Sequence, residues 1–237
     1  MELNAEFDVN LLFDLKNVFQ SRIIDVCMAR NDIAYVNSLL DKNSGSSNYH
    51  NCFLFRQQIA MIREALYLIS KLFAEHEKQL KEFNNAEAIY VKYDNLRPKI
   101  DDFEFQPGTV LREFLAPVRH MISHYKDDEK TPQYENVADQ NIKGDLTYYG
   151  DCNPNNSYGR IYSFAEATFY RSIMKKWKEY RNLDSDDIGD LFKDFVLWYR
   201  ETVVETLQLL DTIFDGYFEM NFDFEQTDNT YKVVKKN

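Results

Sequence analysis

Turn-forming residues are scarce in this chain, with only 7 glycines and 5 prolines in 237 residues. That scarcity excludes a loop-rich or collagen-like architecture and leaves little punctuation between elements. Cysteine is scarce too: Cys27, Cys52 and Cys152 are odd in number, far apart and without a C-x-x-C pair. They offer neither a disulfide framework nor a zinc knuckle and read as ordinary reduced thiols. No apolar run approaches the about 18 residues that a membrane-spanning helix needs. The opening MELNAEFDVN lacks the basic segment of a signal peptide. A soluble, cytoplasmic protein with no membrane partner is expected.

Positive charge is in the minority, with 28 basic against 39 acidic residues and a net charge of −11. Such an average repels phosphate at long range and weighs against a general nucleic-acid binder. The acid is unevenly spread, however, being concentrated in KIDDFEFQ, KDDEK and DSDDIGD. In YRSIMKKWKEYR, Arg171, Lys175, Lys176, Lys178 and Arg181 face the single acid Glu179. Charges more than about 8 to 10 Å apart are largely screened at physiological salt, so a local positive surface can persist on an acidic protein. Non-specific affinity for nucleic acid is then expected to be weak and salt-sensitive.

What the chain has in quantity is apolar bulk: 44% hydrophobic residues, with 16 tyrosines and 18 phenylalanines. Bulky residues with few breakers favour long helices. Leu12, Leu15, Phe19, Ile23 and Val26 recur at steps of three and four, predicting a helix over about 8–40 with a break near Asn31. After the polar loop NSGSSN, Phe55, Ile59, Ile62, Leu66, Ile69 and Phe73 predict a second long helix ending near Asn84 and Asn85, antiparallel to the first. A shorter helical piece follows. Leu111, Leu115, Val118 and Ile122 form the next stripe, with Pro117 inside it as either a kink or a helix start. From 127 to 164 the sequence turns polar, and LTYY and RIYSF suggest two short strands of an inserted hairpin. Phe169, Ile173, Trp177 and Tyr180 resume the helical period. Ser185, Asp186 and Asp187 mark a helix start, and Val196 to Tyr217 carries the longest stripe. The tail over 223–237 lacks a sustained period and is expected to fray. These elements give an all-α fold, read as a single domain over 1–237, with a small β-hairpin insertion.

The chemistry-bearing segment is PVRHMISHYKDD, Pro117 to Asp128. With Val118 at zero and roughly 100° per residue, the apolar stripe spans roughly 0° to 60°. Arg119 then falls near roughly 100°, Ser123 near 140°, His120 near 200° and His124 near 240°, all off the core side. A histidine exchanges a proton near neutrality, and an arginine supplies a permanent charge that fits a phosphate. Together they suit RNA phosphodiester cleavage, in which histidine assists the 2′-OH and arginine stabilises the charge growing on phosphorus. That chemistry needs no metal or other cofactor.

Arg119-His120-x-x-x-His124 resembles the R-x(4–6)-H signature of HEPN domains, where a polar Asn, Asp or His usually follows the arginine. The resemblance implies an antiparallel bundle of four to five main helices, commonly a homodimer that brings two motifs together. For active members it also implies metal-independent endoribonuclease activity in toxin–antitoxin, phage-defence or stress systems. By motif position, Arg119 and His124 would be the catalytic pair and His120 the supporting polar residue. Ser123, Lys126, Lys175, Lys176 and Lys178 are candidate substrate contacts. Some HEPN toxins are silenced by nucleotidylation of a tyrosine two residues after the histidine. Lys126 stands there instead, with Tyr125 one residue earlier, so that control is not expected.

Other readings of the same residues stay open. The two histidines can be incidental on a solvated helix face, which would leave a helical interaction module paired with an antitoxin, nucleotidyltransferase or effector partner. His120 and His124 at i and i+4 also have zinc-chelating spacing, although Met121 replaces the glutamate of H-E-x-x-H and no third ligand is evident. The lysines near 175 can form a solvated face, with Trp177 and Tyr180 in the core. His50 and His76 have no evident partners and read as surface residues.

Overall fold

Few breakers and much apolar bulk produce long helices here. The computed structural model describes residues 9, 13–42, 48–100, 107–123, 137, 146–148, 160–227 and 230–236. Helix α1 is Val18–Lys42, α2 is Asn48–Lys81 and α3 is Ala86–Leu96. A π turn, Leu111–Leu115, leads into α4, Ala116–Ser123. Strands β1, Leu146–Tyr148, and β2, Arg160–Tyr162, precede α5, Ser163–Arg181. Helix α6, Ile188–Asn221, is followed by β3, Phe222–Thr227, and β4, Thr230–Lys235. The fold is all-α, with the expected small antiparallel hairpin in β1 and β2, where Thr147 pairs with Ile161. Among the described residues no helix is long and apolar enough to cross a membrane.

Helix α1 starts later than its periodicity suggests. Leu15 lies in a turn with its side chain 56% exposed, and Leu12 is outside the described residues, so the helical stripe begins at Phe19. Asn17 sets the start, its Oδ1 accepting from the Gln20 N–H at 3.2 Å. No break occurs at Asn31, because Ile33 and Val36 are buried beyond it and a single asparagine costs only about 0.7 kcal/mol of helix propensity. Helix α2 runs antiparallel to α1. Gln58 near its start donates to Asn37 late in α1 at 3.2 Å, while Phe19 early in α1 meets the His76 ring at 5.2 Å. The NSGSSN loop falls outside the described residues apart from Asn48, the first residue of α2.

Helix α6 packs against α1, α3 and α5, and one contiguous apolar cluster joins them. Thr202 and Thr206 are fully buried within it, and their hydroxyls donate back to the carbonyls of Trp198 and Thr202 at 2.9 and 2.7 Å. Trp177 is also fully buried, its ring centre 4.9 Å from Phe114, 5.3 Å from Phe195 and 4.7 Å from Trp198. Each such aromatic pair adds about 0.5–1.5 kcal/mol beyond the area it buries. The indole N–H donates to Asp194 at 2.8 Å, so the polar end of this side chain is satisfied as well.

Helix α6 is capped by Asp187, whose Oδ1 accepts from the N–H groups of Gly189 and Asp190 at 2.8 and 3.1 Å. The expected start is therefore correct to within two residues. Ser185 Oγ takes the Asp187 N–H at 3.1 Å and shapes the approach. Near the other end of α6, Gly216 admits the α2–α3 connection. A Cβ there would lie 2.2 Å from Asn85 Oδ1 and 2.8 Å from Phe83. Asn85 uses that closeness to donate to the Thr212 carbonyl at 2.9 Å.

Two expectations are revised. The tail does not fray: β3 and β4 pair from Phe222–Lys235 to Thr227–Thr230, and Lys236 N–H donates to Asn221 O at 2.8 Å. Phe222 and Val233 join the core, giving this hairpin the burial that helical periodicity could not reveal. His76, expected at the surface, is buried at 8% exposure where α2 departs from helical geometry (φ −131°, ψ 24°). Phe19 of α1 packs against the His76 ring and also against Phe83.

Pro117 neither kinks the middle of a helix nor opens an isolated one. Lacking an N–H and crowding the preceding turn, it cannot continue an α ladder from 111–115. The Ala116 N–H instead donates to Leu111 O, five residues back, and Pro117 then sits in the first turn of α4.

Candidate functional site

Helix α4 buries Val118 and Met121 and packs on α2. With that face fixed, helical geometry turns Arg119 and His120 away from the core. Arg119 is half-buried and His120 exposed. Ser123 is the last residue of α4. Its side chain, like His124 and Lys126, lies outside the described residues. The structure therefore brings Arg119 and His120 onto one solvent-reachable face, as the wheel predicts.

Arg119 is held from α2. Its Nε lies 3.1 Å from Glu64 Oε1, and the same carboxylate receives Arg63 Nη1 at 3.0 Å on each oxygen. The Arg63 side chain is itself largely buried, with its guanidinium 5.0 Å from the centre of the Tyr67 ring. A relay of contacts thus runs from Tyr67 through Arg63 and Glu64 to Arg119, and it fixes where the Arg119 guanidinium points. Sequence inspection missed Glu64. Nothing in a helix stripe links position 64 to position 119, and the adjacent pair Arg63-Glu64 carries no helical pairing signal.

Arg119 borders a cavity of about 370 Å³ between α1 and α2, lined also by Asp25, Asp32, Gln57, Met61 and Glu64. Three carboxylates face one guanidinium in this lining. Arg22 answers part of that charge from α1, its Nη1 lying 3.2 Å from Asp25. Among the described residues no three His, Cys, Asp or Glu side chains converge as metal ligands.

The basic residues of α5 are largely engaged within the fold. Lys178 pairs with Asp186, and its hydrogen bond holds that carboxyl below the usual aspartate range, with a smaller contribution from Lys175. Arg181 lies 3.8 Å from Asp194 and places its guanidinium over the Trp177 ring. Lys175 and Lys176 are half-buried on the same helix. Trp177 is fully buried and Tyr180 is partly buried against the core, so neither offers an open ring face beside the lysines.

His76 is a second histidine of interest, near the C-terminal end of α2, whereas Glu64 lies mid-helix. Neither ring nitrogen has a hydrogen-bond partner among the described residues. Burial pushes its imidazole below the usual value of 6.5, Glu75 pulling it back up and Arg22 adding to the fall. The side chain of His50 lies outside the described residues.

No protein-family model, curated protein or solved structure matches the chain.

Proposed function

We propose that the chain is a metal-independent endoribonuclease of HEPN type, with Arg119 and His124 acting on the phosphodiester and His120 assisting. The observation that supports this most is the Arg119 guanidinium, half-exposed on the non-core face of α4, oriented by Glu64 and flanked by the exposed His120. In this mechanism a histidine takes the proton of the ribose 2′-OH and the 2′-oxygen attacks phosphorus. The bond from phosphorus to the 5′-oxygen then breaks, and that oxygen is protonated as it leaves. Arg119 neutralises the charge that accumulates on the phosphoryl oxygens. Ser123, Lys126 and the α5 lysines would guide the strand. A second copy would complete the cleft with a second motif, and a toxin–antitoxin, phage-defence or stress role follows from the family resemblance.

Purified protein should cleave single-stranded RNA in the presence of EDTA, with Arg119→Ala and His124→Ala each reducing the rate by about 100-fold or more. Unchanged cleavage by His124→Ala rejects the assignment.

The acid lining of the neighbouring cavity favours a second reading, a non-catalytic helical module that binds a partner protein. It predicts no RNA cleavage under any metal condition and a stable complex with an antitoxin, nucleotidyltransferase or effector protein.

A further inference from the structure

A second, partly open cavity lies elsewhere, between α1 and α6. It measures about 560 Å³, inside the range of about 300–1,000 Å³ typical of small-molecule sites. Phe13, Ile24, Leu210 and Phe214 give it apolar walls, and Cys27 contributes a half-buried thiol to its lining. Its charged groups are Arg30 from α1 and Asp211 and Asp215 from α6. Arg30 is committed, with Nε 2.8 Å from Asp211 Oδ1. Asp215, one helical turn further on, has no ion-pair or hydrogen-bond partner among the described residues. One cation against two carboxylates leaves this lining with a formal charge of −1.

We propose that this cavity binds an organic cation with an apolar body, an alkyl- or arylamine, whose ammonium group pairs with Asp215 while its chain lies against Phe13, Leu210 and Phe214. An apolar cavity with one unanswered carboxylate selects against an anion, which would meet Asp211, Asp215 and the nearby Glu219. A strongly hydrated inorganic cation gains nothing from the apolar walls. Asp215 is itself exposed, and partial desolvation raises its carboxyl above the usual aspartate range, with repulsion from Asp211 and Glu219 adding to the rise. An ammonium group relieves that strain. Cys27 supplies an internal reporter: burial raises its thiol pKa to about 11, so it should alkylate slowly, and an occupant would slow it again.

The test uses the full chain carrying Cys52→Ser and Cys152→Ser, with octylamine, octanoate and octanol as matched probes. Octylamine should bind saturably by calorimetry and slow Cys27 alkylation by iodoacetamide about fivefold or more at saturation, as mass action requires near four times Kd. Octanoate should do neither. Asp215→Asn should weaken octylamine about tenfold, the weight of one charge-assisted hydrogen bond, while leaving octanol binding unchanged. Equal binding of octanoate and octylamine overturns the proposal. So does octylamine binding without protection of Cys27, or with no dependence on Asp215.

Discussion

Arg119 on α4 and Glu64 on α2 meet with Nε 3.1 Å from Oε1, and both side chains remain partly exposed, at 38% and 49%. An exposed pair of this kind stabilises a fold by only about 0–1 kcal/mol, so its effect is to aim a guanidinium. Glu64→Gln should leave the unfolding midpoint nearly unchanged. On the nuclease proposal it frees Arg119 for phosphate, so single-stranded RNA should bind more tightly, with a salt slope steeper by about one phosphate contact. Fluorescence anisotropy of a labelled oligonucleotide across a salt series measures both. An unaltered affinity and slope mean that Glu64 does not compete with phosphate for Arg119.

The buried His76 ties stability to pH. Its folded pKa lies below 6.5 while the unfolded chain keeps the ordinary value, so the unfolded state takes up the proton first. Stability should accordingly fall as pH drops through about 6.5 toward the lower folded value. His76→Phe keeps an aromatic ring against Phe19 but cannot titrate. Urea midpoints at neutral and mildly acidic pH should differ much less in the variant, and equal losses in both proteins would refute this role.

Gly216 should tolerate no side chain while Asn85 is present. A Cβ would sit 2.2 Å from Asn85 Oδ1, so Gly216→Ala is expected to destabilise by about 1–3 kcal/mol. Asn85→Ala alone forfeits the bond to the Thr212 carbonyl, worth about 1 kcal/mol. The double variant should lose less than the sum, because removing Asn85 relieves the closest clash and leaves only Phe83, at 2.8 Å, against the new methyl group. Additive losses in chemical denaturation would show that the two positions do not collide.

Tyr199 is an opportunity for stabilisation. Its hydroxyl is buried with no hydrogen-bond partner among the described residues, and burial drives the phenol pKa well above 10. Tyr199→Phe should raise stability by about 1 kcal/mol, since it removes an unsatisfied polar atom and keeps the ring contacts with Phe55 and Phe195. A lower melting temperature would reveal a partner for that hydroxyl.

The helices were legible because burial repeats along them: Ile59 to Phe73 and Val196 to Tyr217 announce one face each, and both faces line the core. Helix starts were less so, because Leu15 continues a stripe that the backbone does not follow, and Asn17 rather than periodicity decides where α1 begins. The β3–β4 hairpin escaped notice for a related reason. Each of its strands is only six residues long, too short to show a sustained period. At the site, one helix turn carries Arg119 and His120, so a wheel places them. Glu64 belongs to another element 55 positions earlier in the chain, and only the packing of α4 on α2 brings it into reach.

The π turn at Leu111–Leu115 makes the direction of Arg119 a matter of helical phase. A turn closed five residues back holds one residue more than an α ladder would require. Winding the same residues into an unbroken α register would rotate everything downstream by about 100° relative to the preceding turn. Val118 could then stay in the core only if the whole of α4 slid along α2. Otherwise Arg119 would swing past Glu64. The single surplus residue ahead of Pro117 therefore acts as a vernier, setting which side of α4 faces solvent independently of which residues the helix contains.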